Sequence, residues 1–120
     1  MLSRHFKRRE FACSCGCGFD TIDAQTLEIL EAVRSHFGRP VIVTSAARCP
    51  DYNLSVGGAR HSQHLYGRAA DIQVQDHPPM AVADFIEERF PHASLGRYLT
   101  FTHVDTRADG PARWGSNGGP

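Results

Sequence analysis

The sequence lacks an excess of either charge. Its 13 Lys and Arg side chains are balanced by 13 Asp and Glu, so the formal net charge is zero when histidine is neutral. Proteins that bind nucleic acid through its phosphates need a surplus of basic side chains. The charge balance therefore argues against nucleic acid as the main partner.

Long hydrophobic runs are also absent. No apolar segment approaches the roughly 20 residues that a helix needs to cross a bilayer. The basic start, residues 1–9, is not followed by the hydrophobic segment of a secretory signal. We therefore expect no membrane span and synthesis in the cytoplasm, so that an extracellular role would need another route of exit.

The rest of the composition is that of an ordinary globular protein. The chain has 120 residues, of which 41% are hydrophobic and 22% charged. This size supports one compact domain over residues 1–120, which we expect to be a monomer. Seven histidines and four cysteines stand out. Because histidine binds metals and titrates near neutral pH, a metal or proton-transfer site is the first kind of site to look for.

Hydrophobic periodicity predicts both helices and strands. Residues 24–37 carry apolar side chains at helical spacing after Asp23, and residues 80–90 form a second such stripe. Strands are predicted at 41–44, 70–74 and 98–105. Residues 46–67 form a long turn-rich loop, which in a small domain is usually functional, and residues 108–120 form a turn-rich tail. We expect an α+β fold in which helices flank a small antiparallel sheet.

The four cysteines leave three alternatives open. Cys13, Cys15 and Cys17 alternate along the chain, while Cys49 is distant in sequence. Because neighbours two residues apart would strain a mutual disulfide, a bridge from Cys49 to one of the three is geometrically easier. Tetrahedral zinc sites usually have two to four residues between paired cysteines, whereas here only one residue intervenes. This spacing is therefore weak support for a metal. Free thiols, one disulfide and a second metal site all stay open.

The segment that says most about function combines a histidine and an aspartate. Residues 62–71 place His64 at the end of the long loop and Asp71 on the polar face of the following strand. His103 projects from another predicted strand, on the same face as Asp105. Two imidazoles and one carboxylate supply three zinc ligands and leave the fourth position for water, as a hydrolytic site requires.

This segment resembles the signature of the zinc D-alanyl-D-alanine carboxypeptidases and related peptidoglycan endopeptidases, which share a zinc-binding fold with the hedgehog signalling domain. The signature is S-x-H-x-x-G-x-A-x-D, and residues 62–71 match each of its fixed positions. Residues 103–107 are similar to the H-V-D-x-R segment of the short bacterial and phage branch. Residues 44–48 resemble the family's S-G-x-R, with Ala46 in place of the glycine. The resemblance spans nearly the whole chain.

The resemblance implies a role for five of these side chains. His64, Asp71 and His103 would be the ligands of a zinc ion. Arg48 would bind or polarise the scissile carbonyl, where a fixed guanidinium stabilises a developing oxyanion; its alternative role is to hold the loop through a carboxylate. Ser62 would contact substrate or orient the first ligand, the alternative being a hydroxyl that caps a turn.

The general base is the position at which the sequence departs from the family. Many relatives carry Glu or Asp three residues before the last histidine, and here that position is Thr100. Asp105 is the nearest acid. It could take the proton of the catalytic water, or it could accept the second N–H of His103. More distant acidic candidates are Glu10, Asp76 and Asp84.

We therefore expect a zinc metallopeptidase that hydrolyses peptide bonds of peptidoglycan stem peptides, as a D-Ala-D-Ala carboxypeptidase or an endopeptidase. A phage or prophage lysin-like role at the cell wall fits this activity. The competing class is a non-catalytic zinc domain that supports structure or a partner interface. A third interpretation makes the four cysteines a redox or metal centre.

Two further residues each have two possible roles. Trp114 is either an anchor of the tail or a wall of the cleft, and His61 either lines the cleft or is an exposed loop residue.

Overall fold

The computed structural model describes residues 2–115, so the end of the predicted tail, residues 116–120, lies outside the described part. The helices are α1 (Ala24–Phe37), α2 (Pro50–Ser55) and α3 (Pro79–Arg89). The strands are β1 (Val41–Ser45), β2 (Ala69–Val74), β3 (Ser94–Arg97), β4 (Thr102–Asp105) and β5 (Arg113–Trp114). Two 3-10 turns, Arg8–Phe11 and Gln63–Tyr66, complete the secondary structure.

The five strands form one sheet in the order β1-β2-β4-β3-β5. The pairs β1–β2, β2–β4 and β3–β4 are antiparallel, as expected. The short strand β5 pairs with β3 in parallel, so the sheet is mixed rather than purely antiparallel. The reason is topological, because the chain reverses direction once more after β4 and β5 then runs alongside β3. The predicted α+β class is confirmed.

Helix α1 has the predicted bounds. The carboxylate of Asp23 accepts the backbone N–H of Gln25 at 3.2 Å and caps the first turn. Gly38 ends the helix in the left-handed conformation, with φ of 63°. Among the described residues, no helix is both long enough and apolar enough to cross a membrane.

Two segments differ from the prediction. The predicted strand 98–105 begins only at Thr102, because residues 98–101 form the turn that joins β3 to β4. In this turn the N–H of Tyr98 donates to the carbonyl of Phe101 at 3.3 Å, and the two rings stack with centroids 4.4 Å apart. The predicted loop 46–67 contains the short helix α2 and the 3-10 turn Gln63–Tyr66.

The two longer helices cover the apolar face of the sheet. Side chains alternate between the faces of a strand, so Ala70 and Ile72 of β2 and Val104 of β4 point into the core. Helices α1 and α3 contribute buried aliphatic side chains to the same cluster: Ile29, Leu30, Val33, Val82 and Ile86. The same alternation directs Asp71 and His103 to the opposite face, away from the helices. The core thus fixes the strands that carry the polar site.

Candidate metal centre and active site

Two of the predicted ligands lie directly opposite each other on inner strands. Asp71 of β2 and His103 of β4 are paired across the antiparallel ladder, and Nδ1 of His103 lies 2.9 Å from Oδ1 of Asp71. Both side chains are buried. The sheet register therefore sets the distance between this imidazole and this carboxylate.

The third predicted ligand is held by a turn. The Ser62 hydroxyl accepts the backbone N–H of His64 at 3.2 Å and caps the 3-10 turn that carries this histidine. The Nδ1–H of His64 donates to the carbonyl of Ala46 at 2.6 Å. The lone pair of Nε2 then faces Asp71, whose Oδ1 is 3.3 Å away. Ser62 thus has the capping role, and it also lines the cavity described below.

These three side chains fit a zinc ion. Their donor atoms, two imidazole nitrogens and one carboxylate oxygen, lie within 4.8 Å of one another. Ligands about 2.0–2.1 Å from a tetrahedral zinc are separated by roughly 3.3–3.4 Å, which is close to the 3.3 Å between His64 and Asp71. Each imidazole also has a hydrogen-bond acceptor at its other nitrogen, the usual support of a metal-binding histidine.

Asp105 lies behind His103. Its Oδ2 accepts the Nε2–H of His103 at 2.7 Å, on the side of the ring away from Asp71. The guanidinium of Arg107 donates to both carboxylate oxygens, over 2.9 Å and 2.7 Å. Asp105 is fully buried and does not line the cavity. Of its two predicted roles, this geometry favours acceptance of the second N–H of His103.

The pKa values of the three neighbouring groups depend on one another. Burial raises the pKa of Asp71, but hydrogen bonds from His103 and His64 and their charge outweigh it, so the pKa lies well below its usual range. Burial likewise raises the pKa of Asp105, and hydrogen bonds from Arg107 and His103 lower it further than burial raises it. Burial lowers the pKa of His103, but Asp105 and Asp71 together raise it above its usual value. Both carboxylates are therefore ionised at neutral pH.

The site opens into a cavity of about 370 Å³. Arg48 lies at its edge with its guanidinium fixed on three sides. Nε donates to the Ser45 hydroxyl at 3.0 Å, Nη1 to Oδ1 of Asn53 at 3.2 Å, and Nη2 to Oδ2 of Asp71 at 3.4 Å. Arg48 thus reaches the cavity and also holds the loop through a carboxylate, so both predicted roles are compatible with its position.

Aromatic residues form one wall of the cavity. The ring of Trp114 lies 5.1 Å from that of His103, and its Nε1–H donates to the Tyr98 hydroxyl at 2.8 Å. Phe101 and the exposed His61 also line the cavity. Trp114 and His61 are among the residues that the sequence offers for the cleft. Tyr98 and Phe101 are not, because the predicted strand 98–105 includes both, whereas the structure places them in the β3–β4 turn.

The remaining acidic candidates lie away from the cavity. Glu10 accepts the backbone N–H of Lys7 at 2.6 Å. Asp76 pairs with Arg39 at 3.7 Å, and Asp84 pairs with Arg97 at 2.9 Å. Within residues 2–115, Asp71 is the only carboxylate that lines this cavity.

Comparison with known proteins identifies the family. No curated protein matches the chain in sequence. The family model described as Peptidase M15 matches residues 4–105, which is most of the chain and includes every predicted site residue from Arg48 to Asp105. The match confirms the resemblance seen in the sequence and is consistent with the observed α+β fold. The chain belongs to the peptidase M15 family, whose members are zinc peptidases.

Proposed function

We propose that the protein is a zinc-dependent peptidase that hydrolyses amide bonds in the stem peptides of bacterial peptidoglycan. The observation that carries this proposal is the convergence of His64, Asp71 and His103 at one cavity, with an acceptor behind each imidazole. Membership of the M15 family supports the peptidase class.

The residues of the site would bind the zinc ion and the substrate and hold the substrate in position. Zinc held by His64, Asp71 and His103 supplies Lewis-acid activation of water and of the scissile carbonyl. Arg48, fixed by three hydrogen bonds, presents its guanidinium to a carbonyl oxygen or a terminal carboxylate of the substrate. The wall containing Trp114 gives the peptide an apolar surface, and the volume of about 370 Å³ suits a short peptide segment.

Asp105 acts on the reaction through His103. Its carboxylate holds the imidazole in one tautomer and orientation, and Arg107 holds the carboxylate. We assign Asp105 as a positioning residue rather than the general base. The proposed place of action is the cell wall, in a phage or prophage lysin-like role, by analogy with the short bacterial and phage branch that the sequence resembles.

Metal-dependent digestion tests the proposal. The full chain is incubated with purified peptidoglycan and with a pentapeptide ending in D-Ala-D-Ala, before chelation, after chelation and after zinc is restored. We expect release of free D-alanine for a carboxypeptidase or of stem-peptide fragments for an endopeptidase, loss of product with chelator, and recovery with zinc. His64→Ala should lose activity and the zinc of this site, whereas His92→Ala, at an exposed histidine, should behave as wild type.

A non-catalytic zinc domain is the second candidate function. It is favoured by the absence of any carboxylate other than Asp71 among the described residues lining the cavity. Thr100, at the position of the usual acid, lies in an exposed turn, where its carbonyl accepts the Gln73 side-chain amide at 2.8 Å. If the wild type binds zinc that His64→Ala loses, but releases no product from either substrate, the peptidase is overturned and this second candidate is supported. Zinc content unchanged by His64→Ala would overturn both.

A further inference from the structure

The four cysteines, far apart in sequence, meet at one place in the fold. The Sγ atoms of Cys13, Cys15, Cys17 and Cys49 all lie within 4.8 Å of one another. Cys13 is buried, Cys49 is half-buried, and the other two are exposed. None of the four lines the cavity that contains the histidines. The cluster is therefore separate from the M15 site.

The sulfur–sulfur distances fit a shared ion better than a covalent bridge. Sγ of Cys13 lies 3.5 Å from that of Cys15 and 3.9 Å from that of Cys49, and the Cys15–Cys49 distance is 3.6 Å. A disulfide bond is about 2.05 Å long. Four sulfurs about 2.3 Å from a tetrahedral zinc are separated by roughly 3.8 Å. All three distances are close to this value.

The backbone explains how alternating cysteines can converge. Gly16 and Gly18 adopt positive φ values of 83° and 95°, which turn the chain between and after the thiols. The N–H of Gly16 donates to the carbonyl of Cys13 at 3.1 Å, and the N–H of Cys13 donates to the carbonyl of Phe19 at 2.7 Å. The segment is a closed loop rather than a strand. Cysteines at alternate positions can therefore bring their sulfurs to one point despite the C-x-C-x-C spacing.

Backbone donors also point at the sulfurs. The N–H of Cys49 donates to Sγ of Cys13 at 3.5 Å, and the N–H of Tyr52 donates to Sγ of Cys49 at 3.4 Å. Such outer hydrogen bonds orient metal-binding thiolates and stabilise their charge. They also link the cysteine loop, residues 13–19, to the first turn of α2.

We propose that Cys13, Cys15, Cys17 and Cys49 bind a second zinc ion in a tetrahedral thiolate site that is structural rather than catalytic. Four thiolates in this geometry select zinc or iron, and the short distances suit one ion rather than a cluster of several irons. Four protein ligands leave no position for water, as in closed structural sites. The ion joins the cysteine loop to the residue that follows Arg48, so it supports the long loop, residues 46–67, from outside the cavity.

Metal counting on the full chain tests this site, and its readout does not depend on hydrolysis. We expect two zinc equivalents in the wild type, one in His64→Ala and one in Cys17→Ser. Ser14→Ala, an exposed position between two of the cysteines, is the matched control and should retain two. In the metal-free protein, cobalt(II) should give thiolate-to-metal charge-transfer absorption in the wild type and His64→Ala. Cys17→Ser should weaken cobalt binding at this site by more than about 100-fold. Loss of a residue that only hydrogen-bonds to a ligand typically costs about 10–100-fold, so a larger loss identifies Cys17 as a ligand.

A mercurial titration of the wild type keeps the proposal testable if Cys17→Ser does not fold. Reaction of all four thiols should release one zinc equivalent, and His64→Ala should release the same amount. Four thiols that react without releasing metal, a disulfide found by mass spectrometry, or iron in place of zinc would each overturn the proposal. Because His64→Ala separates the two ions, the thiolate site can fail while the histidine site stands, and the reverse.

Discussion

The Nε2–H of His103 donates to Oδ2 of Asp105 over 2.7 Å, on the opposite side of the ring from Asp71. Asp105 is fully buried, and Arg107 donates to both of its oxygens. The ring is therefore held between two carboxylates, with Nδ1 directed to the predicted metal position. Asp105 therefore orients a predicted zinc ligand on β4 and does not itself line the cavity.

Asp105→Asn should weaken zinc binding while turnover at saturating zinc is retained in part. The amide has nearly the same shape but lacks the charge that holds His103, and loss of such an outer partner costs roughly 10–100-fold in metal affinity. Competition with a chromophoric chelator measures the affinity, and peptide release measures turnover. Asp109→Asn, at an exposed acid nearby, is the control. Unchanged zinc affinity with abolished turnover would instead identify Asp105 as the general base.

Arg48→Lys should reduce turnover and leave zinc content unchanged. Lysine keeps the positive charge but cannot reproduce the fork of donors that contacts Ser45, Asn53 and Asp71. Removal of a fixed donor from a developing oxyanion typically costs about 100–1,000-fold in kcat. Steady-state kinetics with the zinc-loaded protein measures the effect, and the exposed Arg60→Lys serves as control. An unchanged kcat in Arg48→Lys would show that Arg48 takes no part in the reaction.

Gly96→Ala should disturb the aromatic wall. A Cβ atom on Gly96 would lie 2.6 Å from Cε2 and Nε1 of Trp114, so the indole would have to leave its place beside His103. We expect a raised KM, unchanged zinc content and a loss of about 1–3 kcal/mol in the free energy of unfolding. Trp114→Phe, which keeps a ring over Gly96 but loses the hydrogen bond to Tyr98, should change KM less. An unchanged KM in Gly96→Ala would show that this wall does not contact substrate.

Glu31 on α1 should make stability depend on pH. Burial raises the pKa of its carboxyl, but hydrogen bonds from Ser3 and His5 lower it below the usual value. A lowered folded-state pKa stabilises the fold above the unfolded value of about 4.3, and this contribution is lost as the pH falls through the folded pKa.

Glu31→Gln should accordingly lower the free energy of unfolding at pH 7 by about 1 kcal/mol. The difference from wild type should shrink as the pH falls below about 4. Urea denaturation at several pH values measures it, and Glu28→Gln, exposed on the same helix, is the control. A difference that does not change with pH would mean that the ionised carboxylate contributes nothing.

Local chemistry made much of the fold predictable. The cap Asp23 and the stop Gly38 define α1 with residues that act over one turn, and the observed bounds agree with those expected. The β-branched run that begins at Val41 forms a strand, as expected. The short strand β3 gave no such signal, because its Gly96 is favoured there only by the contact with Trp114, a partner distant in sequence.

The candidate site was predictable in composition but not in arrangement. The spacing of residues 62–71 and the position of His103 singled out three donors that the fold does bring together. Which of its two predicted roles Asp105 takes depends on the direction of its side chain and on its ion pair with Arg107, and neither can be read from spacing. The convergence of the cysteines likewise depends on two glycine turns and on a contact across 36 positions of the chain.

The unequal support of the three predicted ligands bears on how the ion enters and leaves. Asp71 and His103 face each other on inner strands, so separating them requires breaking the sheet. His64 sits on a single 3-10 turn held by the Ser62 cap and the Ala46 carbonyl, and a turn of this kind can open without unfolding the core. Metal exchange would then proceed through release of one imidazole, at a rate set by the turn rather than by global unfolding.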